Sequence, residues 1–252
     1  MGCIVGKQNG GARDLLDLNN DDPLRECDTA ESYAEVIRTS IIAGNVCGHT
    51  ANELTEIQKE YQNICGHTLV SDVQAKYDDE EVGHILIERL SLKESPDDDA
   101  EAASVYSAQL VDAARNGMLF GDGHIFQDCA MTKSPSTLKL ILEMFLKQCQ
   151  RDMTVEIEKY YPAGHTREAL ITMVKLLRNR WLYMSHIIHE LMSSEKEEEE
   201  KHLLYLVLSM DQDSVSELKR VYKNTFFEMM ARDVKETVKD AVIQHALLNH
   251  IK

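Results

Sequence analysis

Thr50-Ala-Asn-Glu-Leu54-Thr-Glu-Ile57-Gln-Lys-Glu-Tyr61 returns twice along the chain. Ser134-Pro-Ser-Thr-Leu138-Lys-Leu-Ile141-Leu-Glu-Met-Phe145 is the second copy, and Ser214-Val-Ser-Glu-Leu218-Lys-Arg-Val221-Tyr-Lys223 is the third. The copies start 84 and then 80 residues apart. A shared period of this size means an array of like supersecondary units. Each copy opens with a helix start signal. Thr50 with Glu53, and Ser214 with Glu217, have the spacing of capping boxes, in which hydroxyl and carboxylate satisfy each other's orphan N–H groups. Ser134 caps the second copy, and Pro135 takes the first helical position, where a missing N–H costs nothing. Aliphatic residues four and seven positions after each cap mark a buried stripe.

Outward from these three helices, the pattern predicts five helices per unit. The first unit reads as helices at Arg13–Asn19, Ala30–Ala43, the Thr50 helix, Leu69–Lys76 and Glu81–Leu92. The second gives Ser104–Asn116, His124–Met131, Ser134–Gln148, Thr154–Tyr160 and Thr166–Leu177. The third gives Trp181–Met192, Glu197–Ser209, Ser214–Asn224, Phe227–Asp233 and Val234–Ile251. Period-two alternation of β-branched residues is missing throughout, so the fold class is all-α. Ser95-Pro-Asp-Asp-Asp-Ala-Glu101 is the one linker by composition. The expected organisation is a head at 1–12, repeats at 13–94, 103–178 and 179–252, and an acidic linker at 95–102.

The 27 Lys and Arg stand against 43 Asp and Glu, a net charge of −16. That balance argues against a broad nucleic-acid surface, which needs clustered cations, and it opposes adsorption to anionic headgroups. No apolar run is long enough to span a bilayer, and no h-region of a secretory signal follows Met1. The six cysteines have no framework spacing and read as reduced thiols. Met1-Gly-Cys-Ile-Val-Gly fits N-terminal acylation: Gly2 would carry a myristoyl chain and Cys3 a palmitoyl chain, although position 6 is Gly6. One such chain holds a protein to a membrane only marginally, whereas two anchor it.

Cys47-Gly-His-Thr50 and Cys65-Gly-His-Thr68 suggest a zinc set, but the intervening helix separates them by about 22 Å at 1.5 Å per residue. Zinc ligands must sit about 2.3 Å from one ion. Glycine ending one helix and threonine capping the next explains both, with Gly164-His-Thr166 as a third instance. His186 and His189 form a metal-like pair with no third ligand nearby. Glu195-Lys-Glu-Glu-Glu-Glu200 is a favourable first turn for a helix dipole and also a source of oxygens for Ca²⁺. No phosphate loop, nucleophile elbow or His-Glu-x-x-His motif occurs, so nothing in the sequence asks for an enzyme.

The three five-helix units, with Glu56-Ile-Gln-Lys-Glu-Tyr61 in the third helix, resemble the annexin family. Asp128-Cys-Ala-Met-Thr-Lys-Ser134 is similar to the annexin join between second and third helices. Gly164-His-Thr-Arg-Glu-Ala-Leu170 is similar to the fourth-to-fifth turn. Among annexins, the cysteine content and eroded repeats most resemble the divergent protist members, the alpha-giardins. The resemblance covers about residues 13–252. It departs from the family in two ways. Annexin cores carry four repeats, and three are readable here; the acidic join at 95–101 resembles the long connection in the middle of annexin cores, which makes the absent unit the first. The family's calcium site uses a Gly-x-Gly-Thr turn between the first two helices and an acid before the fifth. Here the first-to-second turns, at 19–28, 116–121 and 194–199, lack Gly-x-Gly-Thr. The positions before the fifth helix offer Lys76 or Tyr77 with Asp78 next, then Tyr161, then Asp233.

The resemblance therefore implies a peripheral membrane protein on the cytoplasmic face of a plasma or flagellar membrane. It would bind anionic phospholipid with calcium dependence weakened or lost, anchored through Gly2 and Cys3, as a membrane and cytoskeleton scaffold. Glu199 and Asp233 are the calcium candidates. Three other readings stay open: a calcium-dependent phospholipid-binding annexin without an acyl anchor, a microtubule-associated, giardin-like structural protein, and an enzyme, for which His186 and His189 are the only metal-like pair.

Overall fold

The computed structural model describes residues 46, 48–77, 80–93, 100–120, 125–194 and 197–252. Every regular element among them is a helix, twelve in all. In order they are α1 (Ala51–Cys65), α2 (Leu69–Lys76), α3 (Glu81–Leu90), α4 (Ala100–Arg115), α5 (Ile125–Thr132), α6 (Pro135–Cys149), α7 (Met153–Tyr160), α8 (His165–Ser193), α9 (Glu197–Leu208), α10 (Gln212–Phe226), α11 (Met230–Thr237) and α12 (Ala241–Ile251). No helix among the described residues is long and apolar enough to cross a membrane. The helices expected at Arg13–Asn19 and Ala30–Ala43 lie outside the described residues, as do Gly2 and Cys3.

The chain divides into two compact units at Asn179, one ending at Arg178 and the other running Asn179–Lys252. At Asn179 the backbone is extended (φ −156°, ψ 91°), which breaks α8 into halves at 165–178 and 180–193. The Asn179 Oδ1 accepts from Leu182 N at 3.1 Å, capping the second half.

Start signals read from sequence hold at three helices. Thr50 and Glu53 form a reciprocal capping box on α1, Thr68 caps α2, and Ser134 caps α6 with Pro135 in its first turn. Asp152 adds a cap on α7 that the sequence reading did not single out. Although burial raises its pKa, hydrogen bonds from Arg178 and Thr154 hold that carboxyl below the ordinary aspartate range. Two expectations change. The third copy's cap is Asp211, whose carboxylate accepts from Ser214 N at 2.7 Å. Ser214 lies inside the first turn of α10, and Glu217 pairs with Arg220 instead of closing a box. The aspartate three residues upstream is the stronger acceptor at a helix N-terminus, so it takes the role. Likewise α8 starts at His165, which puts Thr166 inside the helix. True caps therefore sit at Thr50, Ser134 and Asp211, 84 and 77 residues apart.

The core of the first unit gathers Leu110, Val111, Phe126, Ala130, Leu138, Ile141, Phe145, Met153, Ile157, Leu170 and Val174 from the five helices α4 to α7 and 165–178. Ile85 of α3 joins the same cluster, so the first repeat is sewn into the second through α3 against α5. Beside it lies Arg89, 0% exposed. Its Nη1 donates to Ala130 O at 3.2 Å and to Lys133 O. Those are orphan carbonyls at the C-terminus of α5, which an α-helix cannot satisfy itself. Gly83 in α3 allows close approach, since a Cβ there would collide with the Tyr77 carbonyl oxygen. In the second unit, five helices bury Ile188, Leu191, Leu203, Val207, Leu218, Tyr222, Val234 and Leu247.

Arg89→Met should cost about 3 kcal/mol, because the α5 carbonyls lose a charged donor inside the protein. Urea unfolding checks this; a change below about 0.5 kcal/mol would show that Arg89 does not join the repeats.

Candidate functional site

One end of the first unit collects turns from both repeats. The first-to-second turn of the second repeat, residues 116–120, brings Phe120 against Tyr160 and Tyr161 of the fourth-to-fifth turn, with ring centroids 5.1 and 5.4 Å apart. Phe126 meets Phe120 edge-on at 5.7 Å. Tyr161, at the position where the family pattern places an acid, is buried. Its hydroxyl donates to Glu81 Oε1 at 3.0 Å and accepts from Gln127. Burial, then the Glu81 charge, push its pKa up, so it stays a neutral phenol. From the first repeat, Tyr77 meets the His165 ring edge-on at 5.7 Å, and Glu80 pairs with His165 Nδ1 at 3.1 Å. Above this buried floor Met118 is 58% exposed and Tyr160 52%. The result is an aromatic platform with two apolar tips. Asp78 lies outside the described residues.

The corresponding end of the third repeat is acidic. Glu199 is buried in the first turn of α9. Its charge, second to burial, raises the pKa of Glu190. Glu200 accepts from Lys239 N at 2.7 Å and Asp240 N at 3.0 Å. Those two bonds hold the fourth-to-fifth turn, and Asp240 then caps α12 by accepting from Val242 N and Ile243 N. The sequence pattern runs Val234–Ile251 as one helix and so places Asp233 before the fifth helix. In fact Asp233 stands in the first turn of α11, and the residue before the fifth helix is Asp240. No Gly or Pro marks this break; a glutamate from α9 makes it.

Asp233 accepts from Tyr222 Oη at 2.5 Å, and Tyr222 Oη is 2.8 Å from His189 Nδ1. With the phenol donating to the carboxylate, His189 Nδ1–H donates to the phenol. Burial, then the bond to Asp233, raise the Tyr222 pKa. His189 also stacks on Phe226 at 4.0 Å, and His186 meets the same ring edge-on at 5.2 Å. Both imidazoles thus belong to an aromatic cluster. No group of three or more His, Cys, Asp or Glu among the described residues could hold a metal ion, and Glu199 and Asp233 fall in no such group. Cys129 and Cys149 are free thiols, and burial raises the Cys129 pKa to about 11.

A register counted from each third-helix cap places equivalent residues together. Eleven residues beyond Thr50, Ser134 and Asp211 stand Tyr61, Phe145 and Tyr222; eleven further on stand Asp72, Glu156 and Asp233. Tyr61 donates to Asp72 as Tyr222 does to Asp233. Phe145 cannot, and Glu156 pairs with Lys159 at 2.9 Å instead. Tyr–Asp contacts between the third and fourth helices thus recur in two repeats, as an array of like units requires.

Several solved structures share this architecture. A mutant of annexin A8 with an intact N-terminus is similar with a TM-score of 0.70 at 22% identity, over 85% of this chain and 67% of that one. The chain has the annexin fold. Chicken annexin V in complex with Zn²⁺ gives a TM-score of 0.68 at 14% identity, over 84% of this chain and 66% of that one. Calcium-bound alpha-14 giardin gives 0.61 at 10% identity, over 86% and 74%. The annexin-like chain thus spans about two thirds of the annexin structures it matches. No protein-family model and no curated protein sequence matches it.

Tyr222→Phe should cost about 1–2 kcal/mol by leaving His189 and Asp233 without their shared partner, with the fold kept because Phe145 fills the same place in the second repeat. Equal urea midpoints for the two proteins would show that the Tyr–Asp contact contributes nothing.

Proposed function

We propose that the chain is an annexin-like peripheral membrane protein and not an enzyme, anchored through acyl chains on Gly2 and Cys3. The observation that carries the reading is the annexin fold bearing an aromatic platform, tipped by Met118 and Tyr160, where first-to-second and fourth-to-fifth turns converge. Exposed apolar tips over a packed aromatic base suit the interfacial layer of a bilayer. The net charge of −16 opposes anionic headgroups, which is why two acyl chains carry most of the affinity in this scheme. Repeats at 13–94, 103–178 and 179–252, with the acidic linker at 95–102, whose last three residues open α4, would present these turns to phospholipid on the cytoplasmic face, and protein partners such as cytoskeletal filaments would complete a scaffold.

Calcium dependence is weakened in this reading. Tyr161 stands as a neutral phenol where the resemblance implies an acid, and Asp240 is engaged in capping α12. Glu199 and Asp233 remain the candidates for residual Ca²⁺ binding. The second reading, calcium-dependent lipid binding without an anchor, draws support from the calcium-bound annexin and giardins that share the fold.

In cells able to acylate N-termini, the wild-type chain is expected to gain the mass of myristate and to stay in the membrane fraction in EDTA, whereas Gly2→Ala becomes soluble. A Gly2→Ala chain that stays on membranes in EDTA would refute acyl anchoring. An unmodified wild-type chain released by EDTA would establish the calcium-dependent reading.

A further inference from the structure

The third-to-fourth turn is built alike in the first two repeats and differently in the third. Sixteen residues beyond each cap stand Gly66, Gln150 and Phe227, all left-handed, with φ of 75°, 57° and 60°. A left-handed residue ends the third helix, and glycine or a small polar residue suits it; a bulky side chain is strained there. Two residues further on stand Thr68, Asp152 and Met229. Thr68 and Asp152 cap the fourth helix with their side chains, whereas Met229 provides no side-chain cap to α11. The third repeat, like the second, places a non-glycine residue at the left-handed position, and it alone also forgoes the side-chain cap. In exchange it exposes Phe227 at 88% and Met229 at 52%. Strain and exposed apolar surface at one site are the mark of a contact surface.

The turn's surroundings say what the tip meets. Phe227 and Met229 project from a short turn, a convex shape. Together they expose roughly 250 Å² of apolar side chain, against about 800 Å² per partner in a stable protein interface. A second copy of a chain with net charge −16 is also repelled. Glu228, between the two apolar residues, is paired with Arg232 at 3.1 Å, and Arg232 also pairs with Glu236 at 2.8 Å, so the one anionic side chain of the turn is partly offset. Lys223, whose carbonyl accepts from Phe227 N at 2.9 Å, is exposed beside the tip as a cation for headgroup phosphate. Phe226 behind it is stacked on His189, a rigid base.

We propose that the Phe227-Glu228-Met229 turn inserts into a lipid bilayer as a contact that needs no divalent cation. The inference rests on the reading of the chain as membrane-binding. It adds a second place of contact: the turn lies at the opposite end of α11 from the Val238–Asp240 turn, which Glu200 holds. The carboxylates at that other end take no part.

The test uses the full chain, made without acyl chains, with Phe227→Trp in a Trp181→Phe background. Phosphatidylcholine vesicles with brominated acyl chains are added in EDTA. Insertion predicts at least twofold quenching of the indole at position 227. A Phe227→Gly/Met229→Thr chain, carrying the first repeat's residues, should bind vesicles at least tenfold more weakly and melt no lower than wild type. Binding without quenching would overturn the inference while leaving membrane binding intact. An indole whose emission shifts with protein concentration in the absence of lipid would overturn it in favour of a second copy. A chain that binds no vesicles in EDTA also overturns it, and retention of the acylated chain on membranes then decides the membrane reading separately.

Discussion

A helix of eight residues is not stable alone in water, because nucleation is costly and few hydrogen bonds repay it. Four of the twelve helices here have that length: α2, α5, α7 and α11. Three survive because at least one end is served by a side chain outside the helix and one face is buried; α11, without a side-chain cap, relies on its buried Met230 and Val234. Capping is therefore the constraint on which this architecture depends. Side-chain oxygens of Thr68 and Asp152 serve N-termini. Arg89 serves the C-terminus of α5 from another repeat. Glu200 holds the backbone before α12 from across the third repeat.

These capping contacts also decide what the turns can do. A turn held from beneath by buried polar groups, such as Tyr161 with Glu81 and Gln127, presents a fixed outer surface. Met118 and Tyr160 are displayed on that surface in the second repeat. The same engagement removes ligands from circulation: Glu200 commits both oxygens and Asp240 its Oδ1 to backbone N–H groups, and Asp233 commits one to Tyr222. Acids that look available in sequence are structural in the fold.

The third repeat shows how an internal copy can diverge without losing its shape. Its core positions stay apolar, with Leu218, Val234 and Leu247 fully buried. Its Tyr–Asp contact repeats that of the first unit. Only the Phe227–Met229 turn departs from its siblings in both conformational suitability and capping. A large buried core can carry the cost of one strained residue, about 1–2 kcal/mol, and one absent cap, about 1 kcal/mol.

Sequence by itself determined the all-α class, the caps at Thr50, Thr68 and Ser134, and the annexin-like array. Those properties follow from short-range chemistry: a hydroxyl finds an N–H three residues on, and apolar residues recur every three or four. Leu54, Leu138 and Leu218 were legible as buried for that reason. Only the tertiary structure decided that Asp211 outcompetes Ser214 as a cap, that the fourth helix of the third repeat ends before Val238, and that Asp233 serves Tyr222. It alone gathered Phe120, Tyr160 and Tyr161 into one platform and left Phe227 outside a core. The partners that hold the third repeat's turn and its Tyr–Asp contact lie eleven to forty residues away along the chain. That is beyond the reach of any local pattern, and their meeting is set by how whole helices pack.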